Sequence, residues 1–232
     1  MQRTPEPNTE PTTCQRCGTC CVNGGPALHR DDLPLIQDHR LALTDLLSIR
    51  EGEPVFSPLI NGLEPSRSEL IKIAGYHDSW ACRFFSQAQN ACGCYAYRPV
   101  ECRLLKCWAP SALTDIIYQQ CLTRRDVLPE DDDLWELIGI QEAHCSFAMI
   151  AQLTTDGGEI RSQSHLAEVG RIINLDLKIR QRAIQTRRLS VAEELLYFGR
   201  PMFKSLGFYR LAIKEGINGI SIIPDGSFGT KR

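Results

Sequence analysis

Cys14-Gln15-Arg16-Cys17-Gly18-Thr19-Cys20-Cys21 puts four thiols within eight residues, ahead of any hydrophobic run long enough to build a core element. Two-residue spacers let the backbone curl so that successive sulfurs converge, and Gly18 permits a tight turn between them. Thiolate is the donor of choice for zinc, Cu(I) and iron–sulfur clusters, so metal ligation is the leading reading. The adjacent pair departs from a simple mononuclear site. Side chains at i and i+1 diverge, so Cys20 and Cys21 are expected to serve different metal atoms or a larger cluster.

The remaining composition frames that reading. The chain has 232 residues, 43% of them apolar and 23% charged, which is an ordinary globular balance. A net charge of −2 gives no general drive towards nucleic acid or an anionic membrane. The first residues lack the apolar stretch of a secretory signal, and no apolar run approaches the roughly 18 residues of a membrane span. A cytoplasmic location is therefore expected. There, clustered thiols mean metal or redox chemistry and not disulfides, and eleven cysteines cannot all pair in any case.

Organisation along the chain follows from punctuation and periodicity. Residues 1–13, with three prolines, read as a flexible leader. Residues 14–125 form a cysteine-cluster domain. Within it the leucines and isoleucines of 31–49 predict one helix, or two broken near His39, and Pro34 suits a first turn. Residues 51–68, rich in Gly, Pro and Ser, read as an irregular connection, and Leu70–Ile73 as a strand. Residues 126–232 form a mainly helical region. A helix starts after Asp131-Asp132-Asp133 and is expected to reach Leu153; those acids read as helix capping on a solvated face. A long helix spans about 164–188 on the stripe of Leu166, Val169, Ile172, Ile173 and Ile179. Ser190 with Glu193 forms a capping box for the next helix, which Gly199-Arg200-Pro201 ends. A short strand is expected over 219–224. The fold class is thus α+β and mainly helical: an irregular, metal-stabilised cysteine-rich domain with a helical part packed against it.

A second cysteine region, 80–108, holds Cys82, Cys92, Cys94, Cys102 and Cys107 among aromatic residues. Three blocks in order, Cys14-x2-Cys17-x2-Cys20-Cys21, Trp80-Ala-Cys82-Arg-Phe-Phe and Cys92-x2-Tyr95-x2-Arg98-Pro99-x2-Cys102-Arg103, resemble the CxxCxxCC family, described as zinc- or iron-chelating. The resemblance covers residues 14 to about 108 and implies metal binding without naming a reaction. It maps the signature cysteines onto Cys14, Cys17, Cys20, Cys21, Cys82, Cys92 and Cys102. Cys107 is the preferred eighth ligand and Cys94 the competitor. A related cysteine cluster in flagellin lysine N-methylases implies a protein-modifying role as a further option.

The all-cysteine ligand set and the aromatic surroundings favour an iron–sulfur cluster, a 4Fe-4S one above others, with a redox or sensing role. Zinc is the alternative, in a metal-stabilised interaction module; a metal-dependent modifying enzyme is the third option. Arg98 and Arg103 adjoin the ligands and are candidates to hold the cluster's excess negative charge. No phosphate loop, GxGxxG, HExxH or GxSxG motif is present, so no catalytic residue is assigned. His29, His39, His77, His144 and His165 show no paired ligand spacing. Cys121 and Cys145 read as inert core thiols. Arginines 171, 180, 182, 187 and 188 read as a solvated basic face. The helical region is left as the surface for a protein partner.

Overall fold

The computed structural model describes residues 14, 16–76, 79–154, 162–216 and 219–225. The leader expected over 1–13 lies outside the described residues, as does the Asp156-Gly157-Gly158 stop. The fold is α+β and mainly helical, and the sheets of the described residues are all two-stranded.

The cysteine-bearing half is built from short pieces: α1 (Thr19–Val22), α2 (Leu33–Gln37), β1 (Leu46–Ile49), β2 (Pro54–Ser57), β3 (Gly62–Pro65), β4 (Leu70–Ile73), β5 (Phe85–Ser86), β6 (Ala91–Cys92), α3 (Val100–Leu104) and α4 (Ser111–Thr114). Helices lengthen afterwards: α5 (Arg124–Val127), α6 (Trp135–His144), α7 (Phe147–Thr154), α8 (Gln163–Arg187) and α9 (Val191–Phe198). A 3₁₀ segment (Met202–Tyr209) leads into the hairpin β7 (Leu211–Gly216) and β8 (Gly219–Pro224). β8 lies on α8, with Asn174 Nδ2 donating to the Ile220 carbonyl at 2.9 Å.

Several local readings hold. β4 and β8 are strands, α8 has nearly the expected span, and Ser190 and Glu193 cap α9 reciprocally. Others are corrected. The helical reading of 31–49 fails after Gln37: His39 turns the chain at φ 56°, and Leu46–Ile49 is a strand buried at every position. Because β1 is covered on both faces, its apolar residues run on without alternation and imitate a helix stripe. Residues 51–68 contain the antiparallel β2–β3 hairpin, with Val55 opposite Glu64 and Phe56 opposite Leu63. The helix after Asp133 is two helices, broken at Cys145 and Ser146. Cys145 is buried there, with Sγ 3.7 Å from the Ile172 carbonyl, as an inert core thiol should be.

One hydrophobic cluster runs from Leu28, Leu46 and Ile71 through Leu137, Ile150 and Ile172 to Phe198 and Ile222, so the core crosses the boundary expected at residue 125. A charged network runs with it. Arg50 donates to both Glu142 carboxylate oxygens at 2.9 and 3.0 Å and to the Cys145 carbonyl at 2.8 Å. Arg124 bridges Glu69 (2.6 Å) and Glu142 (2.7 Å) and donates to the Tyr197 carbonyl. Arg180 is no part of a solvated face: it is 2% exposed and binds Asp176, Glu194 and the carbonyls of Phe198, Gly199 and Arg200.

Removing one partner from such a network strands buried charge, so Arg180→Met is expected to cost about 3–5 kcal/mol of stability. Urea unfolding measures it, and an unchanged midpoint would show that Asp176 finds equivalent solvation without the guanidinium.

Candidate metal centre

Three chain segments bring thiols together. The first turns through Gly18 at φ 79°, and a Cβ there would stand 2.4 Å from the Phe85 ring. Glycine is therefore required twice, by the backbone and by close packing on β5. α1 follows, carrying Cys20 and Cys21, and the Cys21 carbonyl accepts from the Cys82 amide at 2.7 Å. The second segment is the β5–β6 hairpin, where Cys92 pairs with Phe85 and the Gly93 amide donates to the Phe84 carbonyl. Asn90 at its turn donates to the Arg16 carbonyl at 3.1 Å, tying hairpin to cluster. The third is α3, which begins after Pro99 and carries Cys102; its Val100 amide is anchored on Asp32 at 2.9 Å.

The electrostatics show which thiols share a neighbourhood. Burial, then the negative charge that Cys82, Cys92, Cys20 and Cys21 place around it, pushes the Cys102 thiol well above the ordinary range. Burial and the neighbouring Cys20 push Cys21 up to about 12, with Cys92 and Cys82 adding to it. Cys82 is raised as well, chiefly by burial. Cys92 and Cys94 lie 3.5 Å apart, sulfur to sulfur, and form a hydrogen-bonded pair. The bond from Cys94 lowers Cys92 to about 6, and the same bond raises Cys94. Cys20 and Cys21 stand 3.9 Å apart, so the divergence expected of adjacent side chains does not keep these sulfurs apart.

Five of the eight expected ligands, Cys20, Cys21, Cys82, Cys92 and Cys102, thus fall in one group, and Cys94 joins them. Cys14, Cys17 and Cys107 are exposed, and so is Cys20 within the group. The Thr19 hydroxyl, 3.3 Å from Cys17 Sγ, and then the Thr19 backbone draw the Cys17 thiol below its ordinary pKa. No three Cys, His, Asp or Glu side chains among the described residues are arranged around a single point, so the preformed units are the two sulfur pairs. The donor set nonetheless fits a thiophilic metal. Thiols that burial, and after it one another's charge, keep from ionising are relieved when a cation replaces their protons.

Arg98 stacks on Tyr95 at 3.8 Å, and its charge adds to the lowering of Cys92. Arg103 donates to the Arg98 carbonyl at 2.6 Å and buttresses that turn. Arg83 turns away to Asp45, at 3.0 Å. Of the aromatic residues expected to exclude solvent, Phe84 and Phe85 pack on the core while Trp80 is 68% exposed. Sequence reading missed the pair behind α3: Glu101 accepts from the Ala27 amide at 2.8 Å and faces His29 Nε2 at 3.4 Å. Glu101 raises the His29 pKa, and the signal available was a histidine in an apolar stretch that had to find a partner.

Residues 13–122 match the model of the CxxCxxCC family, whose description is "putative zinc- or iron-chelating domain". That match agrees with the resemblance read from the three cysteine blocks and supports metal binding by this part of the chain. No curated protein and no solved structure matches the sequence.

Gly18→Ala should separate the first cysteine segment from Phe85 at a cost of about 1–3 kcal/mol. Melting of metal-loaded protein, with metal retention after gel filtration, reads both effects; a wild-type result would mean the segment docks without that turn.

Proposed function

We propose that this chain is a metal-thiolate protein of the cytoplasm, its centre held by Cys20, Cys21, Cys82, Cys92, Cys94 and Cys102, with Cys14 and Cys17 completing it. The observation that carries this reading is the spacing of the two sulfur pairs, 3.9 Å for Cys20–Cys21 and 3.5 Å for Cys92–Cys94. A tetrahedral ion with metal–sulfur bonds near 2.3 Å has sulfurs about 3.8 Å apart, so each pair suits two thiolates on one metal atom. Zinc, or iron held in the same way, is the centre this spacing favours. Held by these cysteines of α1, the β5–β6 hairpin and α3, a metal would supply the positive charge that neutralises their thiolates. Those segments have little regular structure and are tied by a few hydrogen bonds, so a bound metal would add folding energy.

A second reading is a [4Fe–4S] cluster with a redox or sensing role. It is favoured by the all-cysteine donor set and by Arg98, whose guanidinium lies where it would offset the charge of a cluster and raise its potential. In that cluster each iron carries one cysteine, so the paired sulfurs would have to separate on loading.

The test is iron, zinc and acid-labile sulfide per chain on anaerobically purified protein, in wild type, Cys94→Ser and Cys107→Ser. Zinc or iron without sulfide, lost in Cys94→Ser and kept in Cys107→Ser, is the expected result. Equal iron and sulfide in multiples of about four would establish the second reading. Full metal content in Cys94→Ser would remove Cys94 from the ligand set.

A further inference from the structure

Between the Cys20–Cys21 pair and α2 the chain forms a strap, residues 26–32, that is fixed along its length. A Cβ at Gly25 would collide with the Ile73 carbonyl, so the strap starts flush against β4. Ile73 donates to the Pro26 carbonyl at 2.9 Å and Leu28 to the Ile71 carbonyl at 2.8 Å. The Leu28 carbonyl accepts from Leu122 at 2.8 Å, and Arg30 donates to the Gln120 carbonyl at 2.9 Å. Leu28 is fully buried, which makes the strap part of the core.

α3, which carries Cys102, is attached to this strap by side chains. Pro99 precedes it and offers no capping oxygen. Asp32, fully buried, supplies one from 68 residues away: one carboxylate oxygen accepts from the Val100 amide at 2.9 Å and the other from the His29 amide at 3.1 Å. Glu101 makes the reverse connection. One of its oxygens accepts from the Ala27 amide at 2.8 Å, and the other faces His29 Nε2 at 3.4 Å. The strap thus grips the two residues directly before Cys102. Little else does. Val100 and Leu104 lie outside the hydrophobic clusters, and among the described residues no backbone–backbone hydrogen bond joins α3 to another element.

We propose that Asp32 and Glu101 are positioning residues of the metal centre: they hold α3 on the strap and so fix Cys102 in place for the metal. The inference rests on the reading of Cys102 as a ligand. A donor already in position need not be ordered when the metal binds, and that raises the affinity of the site.

The two carboxylates differ in what they require. Asp32 accepts from a backbone N–H on each oxygen, so Asp32→Asn has to turn its NH2 group towards a donor. Glu101 meets one backbone donor and one adjustable ring. His29 Nδ1 lies 2.7 Å from the Gln119 carbonyl and donates to it, which leaves Nε2 of a neutral ring as an acceptor. In Glu101→Gln the amide oxygen keeps the Ala27 bond and the NH2 group donates to Nε2. An amide is therefore tolerated at 101 and not at 32.

The experiment follows metal release to EDTA from metal-loaded full-length protein, in wild type, Asp32→Asn, Asp32→Ala, Glu101→Gln and Glu101→Ala. Alkylation of Cys145 in the same samples is the reference, because that thiol is fully buried in the core and reports general unfolding. Asp32→Asn, Asp32→Ala and Glu101→Ala are expected to release metal about tenfold faster with Cys145 unchanged, and Glu101→Gln to stay within about twofold of wild type. Wild-type release from Asp32→Asn, or release from Glu101→Gln as fast as from Glu101→Ala, would overturn the positioning role. So would faster release matched by an equal rise in Cys145 alkylation. Cys102→Ser tests the underlying reading separately. Release at the wild-type rate there would remove Cys102 from the ligand set and the positioning role with it. Faster release there, beside wild-type behaviour in both Asp32 variants, would overturn the positioning alone.

Discussion

Three buried guanidinium groups, Arg50, Arg124 and Arg180, hold the helical part and the small sheets in one arrangement. All are at most 2% exposed, and their partners come from almost every major element: Glu69 before β4, Glu142 on α6, Asp176 on α8 and the backbone at the end of α9. Apolar contacts tolerate sliding, but a buried ion that loses its partner costs several kcal/mol, so the elements are registered by charge. Glu142 shows the balance. Burial works to raise its pKa, yet Arg50 and Arg124 prevail and hold it below the ordinary carboxylate range. Gln141, one residue earlier, donates to Asp176 at 2.6 Å and to the Phe198 carbonyl at 3.1 Å, so a single turn of α6 binds both charged clusters.

The two ends of the molecule are stabilised by different means. Beyond residue 124 the elements are long enough to bury continuous stripes. α8 alone contributes Leu166, Val169, Ile172, Ile173, Ile179 and Ala183 to the core. In the region of the thiols the elements have two to five residues, and Phe84 and Phe85 reach the core only partly. Backbone bonds such as Cys82 to Cys21 and Gly93 to Phe84 set the approach of the segments. What they leave close together are two sulfur pairs, Cys20–Cys21 and Cys92–Cys94, in a region where Cys21 and Cys102 are kept protonated chiefly by burial.

Legibility in the sequence followed the range of the interactions. The Ser190–Glu193 capping box is local, and it stands as read. The α8 stripe repeats with one period over seven turns, and it was equally plain. β1 was misread because both its faces are covered, so the period that separates strand from helix is absent. Arg180 was misread for a different reason. Nothing adjacent to it reveals that Glu194 and the carbonyls after α9 close around it from across a helix turn. The cysteine blocks were legible as a donor set, because spacing and residue type carry that information. Which thiols converge was less so: Cys94 enters the group through its bond to Cys92, while Cys107 remains exposed.

The adjacent pair Cys20-Cys21 is where local rules and tertiary structure part. Neighbouring side chains on a helix are about 100° apart, which argues for separate destinations. α1 is a single turn, however, begun by the left-handed Gly18 and held at its Cys21 carbonyl by Cys82. Thiols are short, and their sulfurs need only rotate towards each other to reach 3.9 Å. A longer helix would have committed the two faces to different neighbours. The brevity of α1 is therefore what makes a vicinal pair usable, and it follows from the turn at Gly18 and from the Asn23-Gly24-Gly25-Pro26 turn that ends it. Among the described residues of this half, the elements are short, and that shortness is what lets the two adjacent sulfurs approach.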